Sequence, residues 1–197
     1  MRNRSVLLWI SILFAIAVLG SPVTGAVPAG QVEGTISTVG AGTITIADPD
    51  GTPVRVVVTA DTIVIQRSAT TLETIKPSNF VGVTARRESD GSLTAISINI
   101  FPPEFRGRVR EAQFVMDTGN VMTNATVFQS VRRIAGRTLY LKVNDGSVVI
   151  AVPKEAEVWR LTVVKAVNMR SGAHAVARGG PGADGTFVAT AITVDAR

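Results

Sequence analysis

Residues 32–58 read VEGTISTVGAGTITIADPDGTPVRVVV, and in this stretch apolar residues recur at every second position. Val54, Val56 and Val58, for example, would all lie on one side of an extended chain. A period of two, carried by β-branched residues, is typical of half-buried strands. Glycines and the pair Asp50-Gly51 separate the runs and favour tight hairpin turns. The stretch therefore predicts three strands joined by hairpins, which is the beginning of an all-β fold.

The same pattern occurs twice in the chain, 94 or 95 positions apart. Thr43–Ile46 matches Thr138–Leu141, and Val32 aligns with Val127. A repeat of about 70 residues is too long for a solenoid unit and suits a duplicated small domain. Each copy predicts five strands, and five twisted strands in so small a unit usually close into a barrel. We therefore expect an all-β protein with two tandem small five-stranded OB-like β-barrels that arose by internal duplication.

The expected boundaries follow from the repeat and from the composition of the segments around it. They are 1–26 for a signal peptide, 27–101 for the first barrel, 102–123 for a linker and 124–197 for the second barrel. The predicted strands lie near 32–39, 42–48, 53–58, 80–87 and 93–100 in the first copy, and near 126–134, 137–143, 147–152, 173–178 and 187–194 in the second. Residues 60–79 and 154–172 are read as polar connectors between strands three and four.

The N-terminus predicts a secretory signal peptide. Arg2 and Arg4 form a basic region before the apolar run Val6–Leu19, and Thr24-Gly25-Ala26 is a small-residue cleavage site, with Ala29 as the alternative. Fourteen helical residues span about 21 Å, less than the hydrocarbon core of a bilayer. The chain has no cysteine, so the mature protein is expected to be neither a lipoprotein nor disulfide-bonded. A periplasmic or secreted bacterial protein is the expected localisation.

Charge limits the classes of partner. The whole chain carries 20 Lys and Arg against 15 Asp and Glu, a net charge of +5, and removal of the two arginines in the signal leaves +3. This is only mildly basic, and no nucleic-acid partner is expected on that ground.

Several sequence motifs resemble one family of bacterial exported proteins. They are Leu72-Glu73-Thr74-Ile75-Lys76-Pro77, Phe80-Val81-Gly82-Val83, Ile100-Phe101-Pro102 and Met122-Thr123-Asn124-Ala125-Thr126-Val127. That family has tandem β-barrel domains of unknown function, and its genes are often labelled "metal ABC transporter permease". The resemblance implies export and two OB-like barrels, and it implies no catalytic residue. A permease needs several spans of about 20 apolar residues, which this chain does not have after its signal.

The chemistry-bearing motifs are few. Residues 180–185 match G-x-G-x-x-G, but β-type residues follow where a dinucleotide fold needs a helix, so a hairpin turn is expected. His174 is the only histidine and aligns with Phe80, which favours packing or partial exposure over a ligand or catalytic role. Asp48-Pro49-Asp50-Gly51 has no glutamate at the twelfth position, so it is read as a turn and not a calcium loop. We predict no enzyme activity, no metal site and no cofactor.

The strongest functional indication is a group of arginines. Arg106, Arg108 and Arg110 occur at every second residue, and an extended chain would place the three guanidiniums on one face. Arg132 and Arg133 could join them if the linker folds back onto the second barrel. Guanidinium groups suit phosphate and carboxylate, so these five arginines form a candidate anion-binding surface. A solvated strand face is the alternative.

These observations favour a non-enzymatic, exported binding or scaffold protein of the bacterial envelope, with an unknown partner for which an anionic molecule is one candidate. The partner would be an envelope component or another protein. The alternative is a periplasmic accessory factor that handles metal ions or a small ligand for a transporter. Trp159 could be either a core residue or a stacking platform, because it aligns near Ile65 at the end of a strand run.

Overall fold

The computed structural model describes residues 30–133 and 136–196, and the predicted signal peptide lies outside them. Within this part, regular structure consists of strands and single 3-10 turns, so the protein is all-β. None of the helical turns described is long and apolar enough to cross a membrane. The strands are β1 (Gly30–Gly40), β2 (Thr43–Ala47), β3 (Pro53–Thr70), β4 (Phe80–Arg87), β5 (Leu93–Ile100), β6 (Ala112–Val115), β7 (Val121–Arg133), β8 (Gly136–Val143), β9 (Gly146–Pro153), β10 (Glu157–Val164), β11 (His174–Pro181) and β12 (Phe187–Asp195).

Five of these strands close into one barrel, here called barrel A. The neighbours around it are β1, β2, β3, β12 and β11, and β11 returns to β1. β3 and β12 run parallel, and every other pair is antiparallel. The alternating residues that point inward form its core, in which Ile36, Ile46, Phe187 and Ile192 are fully buried.

Barrel B repeats this arrangement with other strands. Its neighbours are β7, β8, β9, β5 and β4, and β4 returns to β7. The single parallel pair Thr94 and Ala151 joins β5 to β9. Its core is a separate cluster in which Val83, Ile98 and Leu139 are fully buried.

Each barrel is assembled from both halves of the chain. Barrel A takes three strands from the predicted first domain, 27–101, and two from the predicted second domain, 124–197. Barrel B takes two strands from the first and three from the second. The sequence-derived domain boundaries therefore do not coincide with the barrels. The halves have exchanged their last two strands, because the segments expected to turn back as connectors run on as strands.

Those segments form an antiparallel ribbon between the barrels. The second half of β3 pairs with β10, with Arg67 opposite Leu161, 94 positions later in the chain. The parallel pairs on either side of the ribbon correspond by the same offset of 94 positions. Ile63 lies beside Ala191 at one side, and the residues 94 positions away from each, Glu157 and Ser97, lie beside each other at the other side. The ribbon thus has matching partners on both sides of the Arg67–Leu161 pair, which acts as a local two-fold axis.

The register also corrects the alignment of the first strand of each half. Ile36 lies opposite Ile46, and Val127 lies opposite Leu141, so Ile36 is the structural counterpart of Val127. The sequence comparison instead aligns Val32 with Val127. The hairpin between β7 and β8 is four residues longer than that between β1 and β2, and a comparison of letters alone does not detect the insertion.

The linker docks on the outer face of barrel B. Phe80 points outward from β4, yet it is only 3% exposed because the linker covers it. The ring of Phe101 lies 5.2 Å from that of Phe80 and 5.9 Å from that of Phe105. Gly82 makes room for this packing, since a Cβ there would lie 2.8 Å from Phe101. Further along, the linker adds β6 to the edge of β7.

Candidate functional site: an arginine cleft beside the ribbon

The predicted arginine face is not extended. Residues 106–108 form a turn, in which Gly107 has a φ of 76° and the N–H of Arg108 donates to the carbonyl of Phe105 at 3.1 Å. The three guanidiniums therefore do not line one strand face. The side chains of Arg132 and Arg133 lie outside the described part of the chain. Anion binding by the five arginines stays a prediction. Of the three whose side chains are described, Arg106 lines a cleft, whereas Arg108 and Arg110 do not.

Arg106 is held firmly against barrel B. Its Nη1 donates to Thr126 Oγ1 at 3.1 Å, and its Nη2 donates to the backbone carbonyl of Ser78. The guanidinium carbon also lies 5.5 Å from the centre of the Phe80 ring, within the range of a cation–π contact. These three contacts fix the position of the charge at low conformational cost. Arg106 is nevertheless exposed to solvent along one side.

A further arginine, Arg160, lines the same cleft as Arg106, and the sequence analysis did not single it out. Both arginines line a cleft of about 360 Å³ between the linker and the ribbon strand β10. We call it the arginine cleft. Arg160 is exposed and makes no hydrogen bond or ion pair with any described residue. Arg108 and Arg110 are outside the cleft. The other lining residues are Ser78, Asn79, Phe80, Ile100, Phe101, Pro102, Pro103, Glu104, Leu161, Thr162 and Val163.

The composition of this lining suits a small anion. The lining residues include two arginines, one acidic residue (Glu104) and three neutral polar residues, Ser78, Asn79 and Thr162. Guanidinium forks can bind phosphate or carboxylate oxygens through two parallel hydrogen bonds. The apolar side of the cleft, formed by Phe80 and Phe101, lowers the local dielectric and so strengthens such bonds.

A second polar group lies on barrel A, beside the middle of the ribbon. Arg67 donates from Nε to Asp195 Oδ1 at 2.7 Å and from Nη2 to Oδ2 at 3.0 Å. These hydrogen bonds raise the pKa of the Arg67 guanidinium above its usual range, against the opposing effect of partial burial. The guanidinium also stacks 4.3 Å from the Trp159 ring, whose Nε1 donates to Glu157. Trp159 is therefore a partly buried platform, and Arg67 occupies it.

His174 belongs to the same group. Its Nε2 lies 3.4 Å from Glu33 Oε1, and its Nδ1 lies 3.5 Å from Asp195 Oδ2. The imidazole is partly exposed, as the sequence predicted. With two carboxylates and one neighbouring guanidinium, this face of barrel A is a satisfied charge network. The described residues contain no group of three or more His, Cys, Asp or Glu that could hold a metal ion.

The two barrels differ most at these corresponding positions. Thr35 pairs with His174 in barrel A, and Thr126 pairs with Phe80 in barrel B. Asp195 follows the last buried residue of β12 just as Phe101 follows that of β5. The same places on one scaffold therefore carry charges in barrel A and aromatic rings in barrel B. The chemistry of the arginine cleft belongs to barrel B alone.

A cavity of about 820 Å³, larger than the arginine cleft, lies at the end of barrel A. We call it the hairpin cleft, since it lies beside the β1–β2 turn. Val167 is 72% exposed at its rim, Met169 is buried at its base, and Arg170 is tied to the carbonyls of Val167 and Met169. No carboxylate lines it. Its lining residues are 39–43, 58–60, 166, 167 and 169–171.

The remaining motifs are turns. The glycine pattern at 180–185 begins in β11 and continues into the loop to β12, which contains a 3-10 turn with Asp184 at a φ of 56°, so the pattern has no helix to open. In the loop after β2, Asp48 Oδ1 accepts from the backbone N–H groups of Asp50 and Thr52, at 3.0 and 2.7 Å. Both loops use their polar groups internally, as hairpin turns do.

Comparison with protein-family models, with curated proteins and with solved structures finds no match. Function is therefore inferred from the geometry of the chain itself.

Arg160 was missed because its segment was read as a connector. The signal that could have found it is the run Glu157–Val164, in which apolar and polar residues alternate as in a strand. Once β10 is recognised, the parallel pair of Arg160 with Ile100 places the guanidinium beside the start of the linker.

Proposed function

We propose that this protein is an exported, non-enzymatic binding protein of the bacterial envelope, and that it holds an anionic group in the arginine cleft. The observation that carries the proposal is the pairing of Arg106 and Arg160 on the walls of one cleft with a single carboxylate. Arg106 is positioned by three contacts, and Arg160 has no partner among the described residues. Two like charges that line one cleft repel each other, and an anion bound between them would offset that repulsion.

The fold supports a binding role of this kind. The closed five-stranded barrel A, in which the third strand runs parallel to the fifth, supports the assignment to OB-like barrels, and such barrels bind extended ligands on their outer surface and loops. The matched registers of the two halves support an origin by internal duplication. Export to the periplasm or beyond is supported by the basic and apolar residues at the N-terminus.

The anionic group would be a phosphate or carboxylate on a larger envelope molecule. A cleft of about 360 Å³ accommodates a headgroup or one charged sugar, and it is too small for a polymer. The lining offers the hydroxyl of Ser78 and Thr162 and the amide of Asn79 as neutral partners for the same ligand.

The test compares Arg160→Gln with Arg108→Gln. Both variants remove one exposed arginine, but only Arg160 lines the cleft. Binding of inorganic pyrophosphate, and of vesicles that contain phosphatidylglycerol, is measured at low and high salt. Loss of one charge-assisted hydrogen bond should weaken binding by about tenfold or more in Arg160→Gln. Equal binding by the two variants would show that the cleft is not the site.

A small-ligand role is the second candidate, and the hairpin cleft favours it. The cavity is larger, mostly apolar and free of carboxylates, as small-molecule sites commonly are. The same titrations distinguish the two candidates, because Val167→Asp would disturb a ligand at the hairpin cleft and leave the arginine cleft unchanged.

A further inference from the structure

The linker strand β6 has an open edge. Among the strands of the described chain, it is the only one that pairs on one side alone; its partner is β7, through the pairs Ala112–Asn124 to Val115–Val121. Every second residue of such a strand directs its N–H and C=O away from the sheet, where they have only water as a partner. The edge therefore offers a row of alternating donors and acceptors.

The side chains do not protect this edge. The strand reads Ala-Gln-Phe-Val and contains neither a charge nor a proline, which are the usual means of blocking an edge. Phe114 is 50% exposed and Val115 is 67% exposed, on opposite faces of the strand. Gln113 turns its amide inward and donates to Thr123. What is presented to solvent is apolar surface on both faces of an unpaired backbone.

The two arginines beside β6 are also unpaired among the described residues. Arg108 and Arg110 precede the strand, are exposed and make no hydrogen bond or ion pair with described residues. The nearby carboxylate of Glu111 accepts from Thr126 Oγ1 at 3.4 Å. At the other end of the strand, Asp117 is exposed. The edge is thus positive at its N-terminal end and negative at its C-terminal end.

We propose that β6 is a docking edge for an extended acidic polypeptide segment of a partner protein, which adds as one more antiparallel strand. Backbone pairing selects an extended polypeptide, because no lipid or glycan presents donors and acceptors at the spacing of a strand. Exposed Phe114 and Val115 contact alternate side chains of the added strand. Arg108 and Arg110 lie beside its C-terminal end, so acidic residues belong there.

This docking edge is separate from the arginine cleft. The residues of β6 do not line that cleft, and Arg160 lies on a different strand. Arg160→Gln is therefore expected to leave peptide binding unchanged, so the two proposals can fail independently.

The probe is a fluorescein-labelled eight-residue peptide of alternating valine and threonine with two glutamates at its C-terminal end. Its binding to the full-length mature protein is measured by fluorescence anisotropy. Arg110→Glu and Val115→Lys should each weaken binding by about tenfold or more. The matched controls, Arg55→Glu and Val149→Lys, make the same changes at exposed positions on paired strands and should bind as the parent does.

Peptide variants test the backbone pairing itself. N-methylation at alternate residues removes the donors of one strand edge and should abolish binding, whereas a peptide with two lysines in place of the glutamates should bind about tenfold more weakly. Equal affinity of the N-methylated peptide, or no binding of the acidic peptide at millimolar concentration, would overturn the proposal. Dimerisation of the protein that Val115→Lys abolishes would also overturn it, because the occupant would then be a second copy.

Discussion

At the scale of single residues, the paired barrels act as an internal comparison. His174 and Phe80 occupy corresponding strand positions, yet one joins a charge network and the other is buried under the linker. The difference follows from what covers each face. An outward position on a barrel strand is polar unless another segment packs on it, and only in barrel B does the linker do so among the described residues.

Gly34 occupies a position at which the fold leaves no room for a side chain. A Cβ at this position would lie 1.9 Å from the carbonyl oxygen of Ala47, on the neighbouring strand β2. Gly34→Ala must therefore push β1 and β2 apart, and we expect the free energy of unfolding to fall by about 1–3 kcal/mol. Urea denaturation followed by Trp159 fluorescence measures the change.

The matched control is Gly180→Ala. Gly180 lies in β11 without a positive φ, and a Cβ at this position would meet nothing within 4 Å. Its substitution should leave the stability nearly unchanged. A loss at Gly180 as large as that at Gly34 would mean that close approach is not the cause.

Residue-level prediction from the sequence succeeded for turns, but it did not place the arginines relative to one another. Asp-Gly pairs define their own conformation through a left-handed glycine, as Gly51 and Gly91 show with φ values of 84° and 85°. The arginines offered no such local rule. Whether Arg106 and Arg160 line one cleft depends on how the linker folds onto barrel B. That is a property of the tertiary structure, and the spacing of residues in the sequence does not reveal it.

At the scale of elements, most strands followed from the period of two, while the ribbon did not. Thr62–Ile65 is a β-branched run, but Gln66, Arg67 and Ser68 after it made the segment look like a connector. The mixed character has a physical cause. A ribbon that lies between two barrels is half-exposed on both faces, so it lacks the clean alternation of a barrel strand.

The linker should be held mainly by its aromatic contacts. Phe105 packs on Phe101, which packs on Phe80, and the turn at Arg106 follows directly. Phe105→Ala removes the outer ring of this row, so backbone amides in residues 103–110 should exchange with deuterium faster. Exchange in β8 and β9 should stay as in the parent.

Phe114→Ala is the control for this element. Phe114 is also a linker phenylalanine, but it is half-exposed and has no ring contact in the described structure. Its removal should leave exchange in residues 103–110 unchanged. If both variants exchange alike, the aromatic row does not fix the linker.

At the scale of the whole molecule, the exchange of strands makes the two barrels interdependent. β3 contributes Val56 and Val64 to the core of barrel A and continues into the ribbon, where it pairs with β10. β10 in turn contributes Val158 to the core of barrel B. Neither core can form fully unless the strands donated by the other half are in place. A pair of contiguous domains would have no such dependence.

This dependence predicts one unfolding transition in place of two. Phe187 is fully buried in the core of barrel A, and Phe187→Ala should lower the free energy of unfolding by about 3–5 kcal/mol through loss of burial and a residual cavity. Because each barrel contains strands from both halves of the chain, the variant should still melt in a single transition at a lower temperature. Calorimetric and van't Hoff enthalpies should then agree for parent and variant alike.

The matching substitution in barrel B, Leu139→Ala, should shift the same transition in the same direction. Two resolved transitions in either variant, with only one of them displaced, would mean that the barrels fold independently, and the exchanged strands would then not couple them.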